Sequence, residues 1–308
     1  MKAVVYKSTG SWYVVKTEDS KFFNARIKGV FKLDAITSTN PIAVGDWINI
    51  EPEDTAEQTM IITEIFDRHN YVVRSSPQQH KERHIVASNV DQALLIATLR
   101  EPKTSTGFID RFLISCEASH IPAQIILNKI DVQREKEKQL AAYIQSVYEP
   151  LGYPVHLASF QLGEGIENIL NLLQDKTTLL SGPSGVGKST LINIALPGTS
   201  IRTMEVSNWS GKGMHTTTFA EMYDLPGGGK IIDSPGLREF GIVDLDQREL
   251  SHYFPEMRSK LHNCQFNNCI HTNEPGCAIQ AAVYDKSIAV ERYVSYRNIL
   301  DSMEDKKY

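Results

Sequence analysis

Cysteine is scarce in this chain: four in 308 residues, with Cys264, Cys269 and Cys277 inside fourteen consecutive positions. The spaced pairs that staple small secreted folds are missing, and clustered thiols in a reducing compartment are more often metal ligands than disulfides. The fourth, Cys116, completes the apolar series Ile109, Phe112, Leu113, Cys116 and reads as core. No apolar run approaches the roughly 18 residues of a spanning helix, so no membrane association is expected. Met1–Tyr6 lacks the apolar centre of an export signal, which makes the cytoplasm the expected compartment. An excess of positive charge is also absent. Lys and Arg number 32 against 37 Asp and Glu, a formal net charge of -5, with no basic tail or block. Bulk electrostatics therefore offer nothing toward a nucleic-acid partner. What is present, 41% hydrophobic and 22% charged residues, excludes a disordered chain and suffices for two or three domains.

Three segments follow one another. Residues 1–74 read as short strands, Ala3–Tyr6, Trp12–Lys16, Phe22–Arg26, Asp46–Glu51, Met60–Phe66 and Tyr71–Arg74, punctuated by Gly10, Gly29, Asn40-Pro41, Gly45 and Pro52. That many strands in so short a stretch suggest a small closed barrel. An OB-like barrel is the reading adopted, although the pattern suits an SH3-like one as well. Residues 75–85 are polar at Ser75–His84 and read as a linker. Residues 86–246 alternate strands with helices of 3.6 period, the pattern of a mostly parallel sheet covered on both faces. Ligands of such sheets sit at the carboxyl ends of strands, so the loops there carry the function. Residues 247–308 hold the cysteine cluster and two helical runs, Ala278–Val283 and Ile288–Leu300.

One loop is unambiguous in type. Gly182-Pro183-Ser184-Gly185-Val186-Gly187-Lys188-Ser189-Thr190 follows the apolar strand Thr178–Ser181 and opens a helical run. This is the full G-x-x-x-x-G-K-[ST] pattern in its strand–loop–helix setting. Glycines let backbone N–H groups converge on phosphate oxygens, and the helix start adds partial positive charge. Lys188 is suited to the β- and γ-phosphates and the Ser189 hydroxyl to Mg²⁺. Asp233-Ser234-Pro235-Gly236 ends another strand, Lys230–Asp233. There Asp233 can hold the outer shell of the Mg²⁺, and Gly236 lets its N–H approach the γ-phosphate.

A third loop selects the base. Asn128-Lys129-Ile130-Asp131 ends the strand Ala123–Leu127. Asp131 can accept from both N1–H and the 2-amino group of guanine, whereas adenine would leave it unpaired. The stem of Lys129 can cover the base, and Asn128 can tie this loop to the phosphate loop. The alternative is a helix start capped by Asp131. Ser159-Phe160, after the strand Val155–Ala158, is expected on the base side too. The base loop precedes the phosphate loop, the reverse of ordinary GTPases. Rejoining the termini and opening the fold elsewhere gives this order, because chain ends lie at surfaces and close together.

These motifs carry a resemblance. The chain is similar to the circularly permuted, ribosome-associated GTPases called RsgA or YjeQ. The matching residues are Asn89-Val90-Asp91-Gln92-Ala93, Asp110-Arg111-Phe112-Leu113, Asn128–Asp131 and Asp175-Lys176-Thr177-Thr178 leading into Gly182–Thr190. They continue through Gly211-x-Gly213-x-His215-Thr216-Thr217-Thr218, Asp233–Gly236, Arg238-Glu239-Phe240-Gly241 and Cys264-x4-Cys269-x-His271-x5-Cys277. The resemblance implies a multidomain α/β protein: an N-terminal OB-like β-barrel, a circularly permuted P-loop GTPase domain and a C-terminal helical zinc-binding domain. It implies GTP hydrolysis to GDP and phosphate, stimulated by the small ribosomal subunit during its late maturation, with binding to its rRNA. A monomer is expected. Met214 stands where the family often has a basic residue before the histidine, which removes one possible phosphate contact.

Leu237 follows Gly236 where many GTPases carry a water-orienting Gln, an apolar replacement the family shares. His215 is the candidate for positioning water; the alternative is a loop histidine facing solvent or RNA. Thr217 is the candidate to complete the Mg²⁺ shell. Cys264, Cys269, His271 and Cys277 make a closed Cys₃His set, the type that builds structural zinc. His262 is a nearby alternative, but His271 keeps the family spacing. Two other readings compete: a P-loop kinase or ATPase, opposed by Asn128–Asp131, and a non-enzymatic nucleotide-gated RNA-binding module, favoured by Leu237.

Overall fold

The computed structural model describes residues 1–27, 41–53, 59–75, 83–198, 220–234 and 245–304. Strands rich in β-branched and aromatic residues open the chain: β1 (Lys2–Ser8), β2 (Tyr13–Thr17), β3 (Phe22–Ile27), β4 (Trp47–Pro52) and β5 (Met60–Ile65). They pair in the order β1-β2-β3-β5-β4, and β4 pairs back onto β1, closing a five-stranded barrel of the OB-like type. Among the described pairings of the barrel, that of β3 with β5 alone is parallel. Alternate residues fill the interior, among them Ala3, Val5, Tyr13, Val15, Ile48, Ile50 and Ile62.

β1 is buried on both faces. Val4 and Tyr6 point away from the barrel and join the largest core of the molecule. At Lys7 the strand pairs with Glu221 of β12 (Glu221–Asp224), which joins the barrel to the second sheet. The Tyr6 hydroxyl donates to Asp224 at 2.6 Å, and Lys7 meets Glu221 at 3.1 Å. β6 (Tyr71–Ser75) and β7 (Arg83–Ser88) form an antiparallel hairpin with Val72 and Ala87 buried. The stretch read as a linker from residue 75 to 85 thus carries strand at both ends, because apolar residues of β6 and β7 bury against the main core.

The second sheet adds β8 (Gln92–Ala97), β9 (Ala123–Leu127), β10 (Val155–Leu157), β11 (Thr177–Ser181) and β13 (Lys230–Asp233). Its order is β10-β9-β8-β11-β13-β12, parallel except for β12. β8 is buried along its whole length, as a central strand covered on both faces requires. α1 (Thr106–Ala118) and α2 (Glu135–Tyr148) pack on one face with Leu95, Ile125 and Leu179. α3 (Ile166–Leu173) and α4 (Lys188–Ala195) pack on the other with Leu94, Ile96 and Leu180.

The C-terminal segment contains α5 (Pro255–Arg258), α6 (Ala278–Tyr284) and α7 (Val290–Glu304). Phe254, Met257, Ile279, Tyr296 and Ile299 form its core, which Ile114 of α1 also enters. A buried ion network crosses the same junction. Arg292 of α7 donates to Asp110 of α1 at 2.6 Å and to Glu256 of α5 at 2.6 and 3.1 Å. The Tyr148 hydroxyl of α2 donates to the same Asp110 oxygen at 2.6 Å.

Candidate functional site

The phosphate loop lies between β11 and α4, at the carboxyl edge of the sheet. A Cβ on Gly182 would stand 2.1 Å from the Ile96 carbonyl, so only glycine lets the chain leave β11 there. Gly187, with φ +110°, caps α4. Lys188 Nζ donates to the carbonyls of Gly182 and Pro183 at 2.5 and 2.8 Å, spanning the concave side of the loop. Burial pulls its ammonium below the ordinary lysine value, and the Asp233 carboxylate opposes that.

Asp233 ends β13, beside the phosphate loop. Burial raises its carboxyl above the usual range, against the attraction of Lys188. Its Oδ1 is buried with no hydrogen-bond partner among the described residues. An orphaned carboxylate oxygen facing a lysine on a phosphate loop suits the hydration shell of Mg²⁺, which retains waters at such sites. Ser189 opens α4 on this side. The Ser234 hydroxyl donates to the Leu180 carbonyl at 3.1 Å and fixes the turn. Thr217, His215 and Gly236 lie outside the described residues.

The base loop stands one contact away. Asn128, 3% exposed, donates from Nδ2 to the Val186 carbonyl at 2.8 Å. Its Oδ1 accepts from the Phe160 N–H at 3.0 Å. One amide side chain thereby fastens the phosphate loop, the base loop and the loop after β10. Ser159 is fully buried and donates to Asp131 Oδ1 at 2.6 Å, which orients that carboxylate. Ile130 and Asp131 enter a short 3₁₀ turn, Ile130–Val132. Phe160 is 6% exposed and packs in the α3–α4 core, as does Val186, and the Phe160 N–H and the Val186 carbonyl both go to Asn128. Pro183, Ser184 and Gly185 lie in the loop between β11 and α4, and Thr190 lies in the first turn of α4.

One contributor left no mark in the sequence reading. Lys129 Nζ donates to the Glu101 carbonyl at 2.6 Å, in the turn between β8 and α1. That turn lies at a strand's carboxyl end, the one cue that singles it out.

In the C-terminal segment, the ligand atoms of Cys264, Cys269, His271 and Cys277 all lie within 4.8 Å of one another. His271 Nδ1 is 3.6 Å from Cys264 Sγ and 3.4 Å from Cys277 Sγ. Burial pushes the Cys269 thiol up to about 12 and raises that of Cys277. Three thiols, of which Cys277 is buried and Cys264 and Cys269 are half-buried, with the buried His271 imidazole are the donor set of structural zinc, which stabilises the thiolates that burial disfavours. His262 is not part of the cluster. The Glu274 carboxylate accepts from the N–H groups of Ile270, Thr272 and Asn273 at 2.7 to 3.0 Å and shapes the ligand turn. Tyr293 and Tyr296 of α7 donate to the carbonyls of His271 and Ile270 at 2.6 and 2.7 Å.

Comparisons agree with this architecture. The RsgA N-terminal domain family matches residues 2–61, and the RsgA GTPase family matches residues 65–243. A Bacteroides fragilis protein named small ribosomal subunit biogenesis GTPase RsgA is 47% identical over 308 residues, covering 100% of this chain and 99% of that one. A Cytophaga hutchinsonii protein of the same name is 49% identical over 300 residues, covering 97% and 98%. Among solved structures, YjeQ from Thermotoga maritima superposes with a TM-score of 0.77 at 29% identity, covering 98% of this chain and 97% of that one. YloQ, described as a circularly permuted GTPase, gives 0.73 at 30% identity, covering 100% and 96%. With a closed barrel, a phosphate loop that follows its base loop and a Cys₃His cluster in one polypeptide, the chain belongs to the RsgA family of circularly permuted GTPases.

Proposed function

We propose that this protein hydrolyses GTP as a switch in late maturation of the small ribosomal subunit, binding the subunit's rRNA and being stimulated by it. The observation that carries the reading is the Asn128–Val186 hydrogen bond. It ties the base loop to the phosphate loop at the carboxyl edge of the sheet, which supports reading the two loops as halves of one nucleotide site.

In this reading Gly182–Thr190 cradles the phosphates and Lys188 leaves its loop carbonyls for phosphate oxygens. Asp131, oriented by Ser159, accepts from guanine, and Lys129 covers the base. Ser189 and Thr217 would hold the Mg²⁺, with Asp233 behind its waters and Gly236 donating to the γ-phosphate. Bound there, the ion neutralises developing phosphate charge. Leu237 offers water no polar group, so intrinsic turnover is slow and His215 supplies the orientation when the subunit docks. GTP orders the loops, the ordered chain binds the subunit, and hydrolysis to GDP releases it. The protein acts as a cytoplasmic monomer, with the zinc holding the C-terminal segment together.

The test is GTP turnover measured alone and titrated with purified 30S particles, with ATP as control. Turnover should rise at least tenfold with particles, and His215→Ala should lose most of that rise. ATP turnover equal to GTP turnover would favour the kinase or ATPase reading. Flat turnover with intact GTP-dependent particle binding would favour the non-enzymatic one.

A further inference from the structure

The turn joining β8 to α1 is closed by two buried threonines. The Thr104 N–H donates to the Thr98 carbonyl at 2.8 Å, and the Thr98 N–H donates to Thr104 Oγ1 at 3.1 Å. The Thr98 hydroxyl donates to the Pro102 carbonyl. Thr98 is fully buried and Thr104 is 4% exposed. Two buried hydroxyls that each bind the backbone of the same turn fix one loop shape.

The clasped turn touches both halves of the candidate pocket. Its Glu101 carbonyl takes Lys129 Nζ at 2.6 Å. Its Pro102 ring stands 3.6 Å from where a Cβ on Gly185 would lie. Arg100 reaches past the base loop to the Val132 carbonyl at 3.3 Å. Lys129 itself sits in the left-handed region at φ +65°, a backbone state that a non-glycine residue keeps only when its surroundings over-determine it. Its stem has four rotatable bonds, and without an anchor it would not stay over one surface.

We propose that the Thr98–Thr104 clasp is a positioning device for guanine-nucleotide binding, presenting the Glu101 carbonyl that anchors Lys129 over the base. This rests on the reading of Asn128–Asp131 as the base loop. Thr98 and Thr104 touch no nucleotide; they act through Lys129. A contact to the base is the same before and during phosphoryl transfer. Loss of the clasp therefore removes uniform binding and raises KM with kcat unchanged.

The experiment uses the full chain, with GDP binding by titration calorimetry and steady-state GTP hydrolysis in the presence of 30S particles. Thr104→Val keeps volume and removes the acceptor. GDP Kd and GTP KM should rise about tenfold, the scale of one hydrogen bond to a charged group, with kcat unchanged and Thr104→Ser restoring both. Lys129→Met should weaken binding comparably, and the double variant should bind no more weakly than Lys129→Met alone, because the two act in series. Should Thr104→Val fail to fold, Thr98→Val carries the same expectation. Wild-type affinity in the threonine variant, or losses that add in the double variant, overturn the proposal and leave the guanine reading standing. An unsubstituted chain that binds no GDP overturns both.

Discussion

Gly187 sits where the two loops of the candidate pocket almost touch. A Cβ there would lie 2.5 Å from Asn128 Nδ2 and 3.1 Å from the Phe160 ring, and φ is +110°. Gly187→Ala should therefore push the base loop off the phosphate loop. Calorimetric titration should show at least a tenfold loss of GDP affinity, and thermal melts a destabilisation of about 1–3 kcal/mol. At this scale the sequence is readable where chemistry lives in side-chain type and spacing, as in Gly182–Ser189, Asn128 and Asp131. It is silent where the acceptor is a main-chain carbonyl. Nothing in Glu101 as a residue type announces the oxygen that Lys129 grips. Ser159-Phe160 reads as a base-side loop, and what the residue type does not announce is that the Phe160 ring packs in the core while its N–H goes to Asn128 Oδ1.

Among the elements, α1 is the one whose environment the periodicity half describes. Ile109, Phe112, Leu113 and Cys116 mark the face that packs on the sheet. Ile114 lies on the other side and is equally buried, against α7. Asp110 stood out in sequence only as part of a family signature; the structure gives it Arg292 as a partner 182 positions away. Pairings at that separation are set by tertiary packing and leave no local period. Burial works against the Arg292 charge, but the Asp110 and Glu256 carboxylates outweigh it and hold the guanidinium above its ordinary value. Arg292→Met, which strands Asp110 as an unpaired buried acid, should cost about 3–5 kcal/mol in urea unfolding. Adding Asp110→Leu should recover only the part of that loss that comes from the stranded Asp110, since Glu256 and the Tyr148 hydroxyl still lack their partners. A double variant as unstable as the single would show that the unpaired Asp110 is not the source of the loss.

For the molecule as a whole, the C-terminal segment is small and its core is shared with the metal cluster, since Cys264, Cys269 and Cys277 pack in it. Stripping zinc with a chelator, or Cys277→Ser, should lower the thermal midpoint by at least about 5 °C by scanning calorimetry. Elemental analysis should find one zinc per chain before treatment, and the same metal content after all four ligands are replaced would dismiss the site. The three-part plan was legible because each part has its own period and punctuation. The joints were not, because a joint is made of residues already assigned to one side. β1 illustrates this: Ala3-Val4-Val5-Tyr6 reads as a barrel strand, and its unbroken apolarity is the trace of a second neighbour.

That second neighbour has a cost for anyone dissecting the protein. A version begun at residue 65, where the GTPase family match starts, would bare the outer margin of β12 and the apolar wall that Val4 and Tyr6 cover. Raw strand margins next to greasy surface recruit other chains. The amino-terminal barrel thus covers a margin and a wall that the truncated version would leave open.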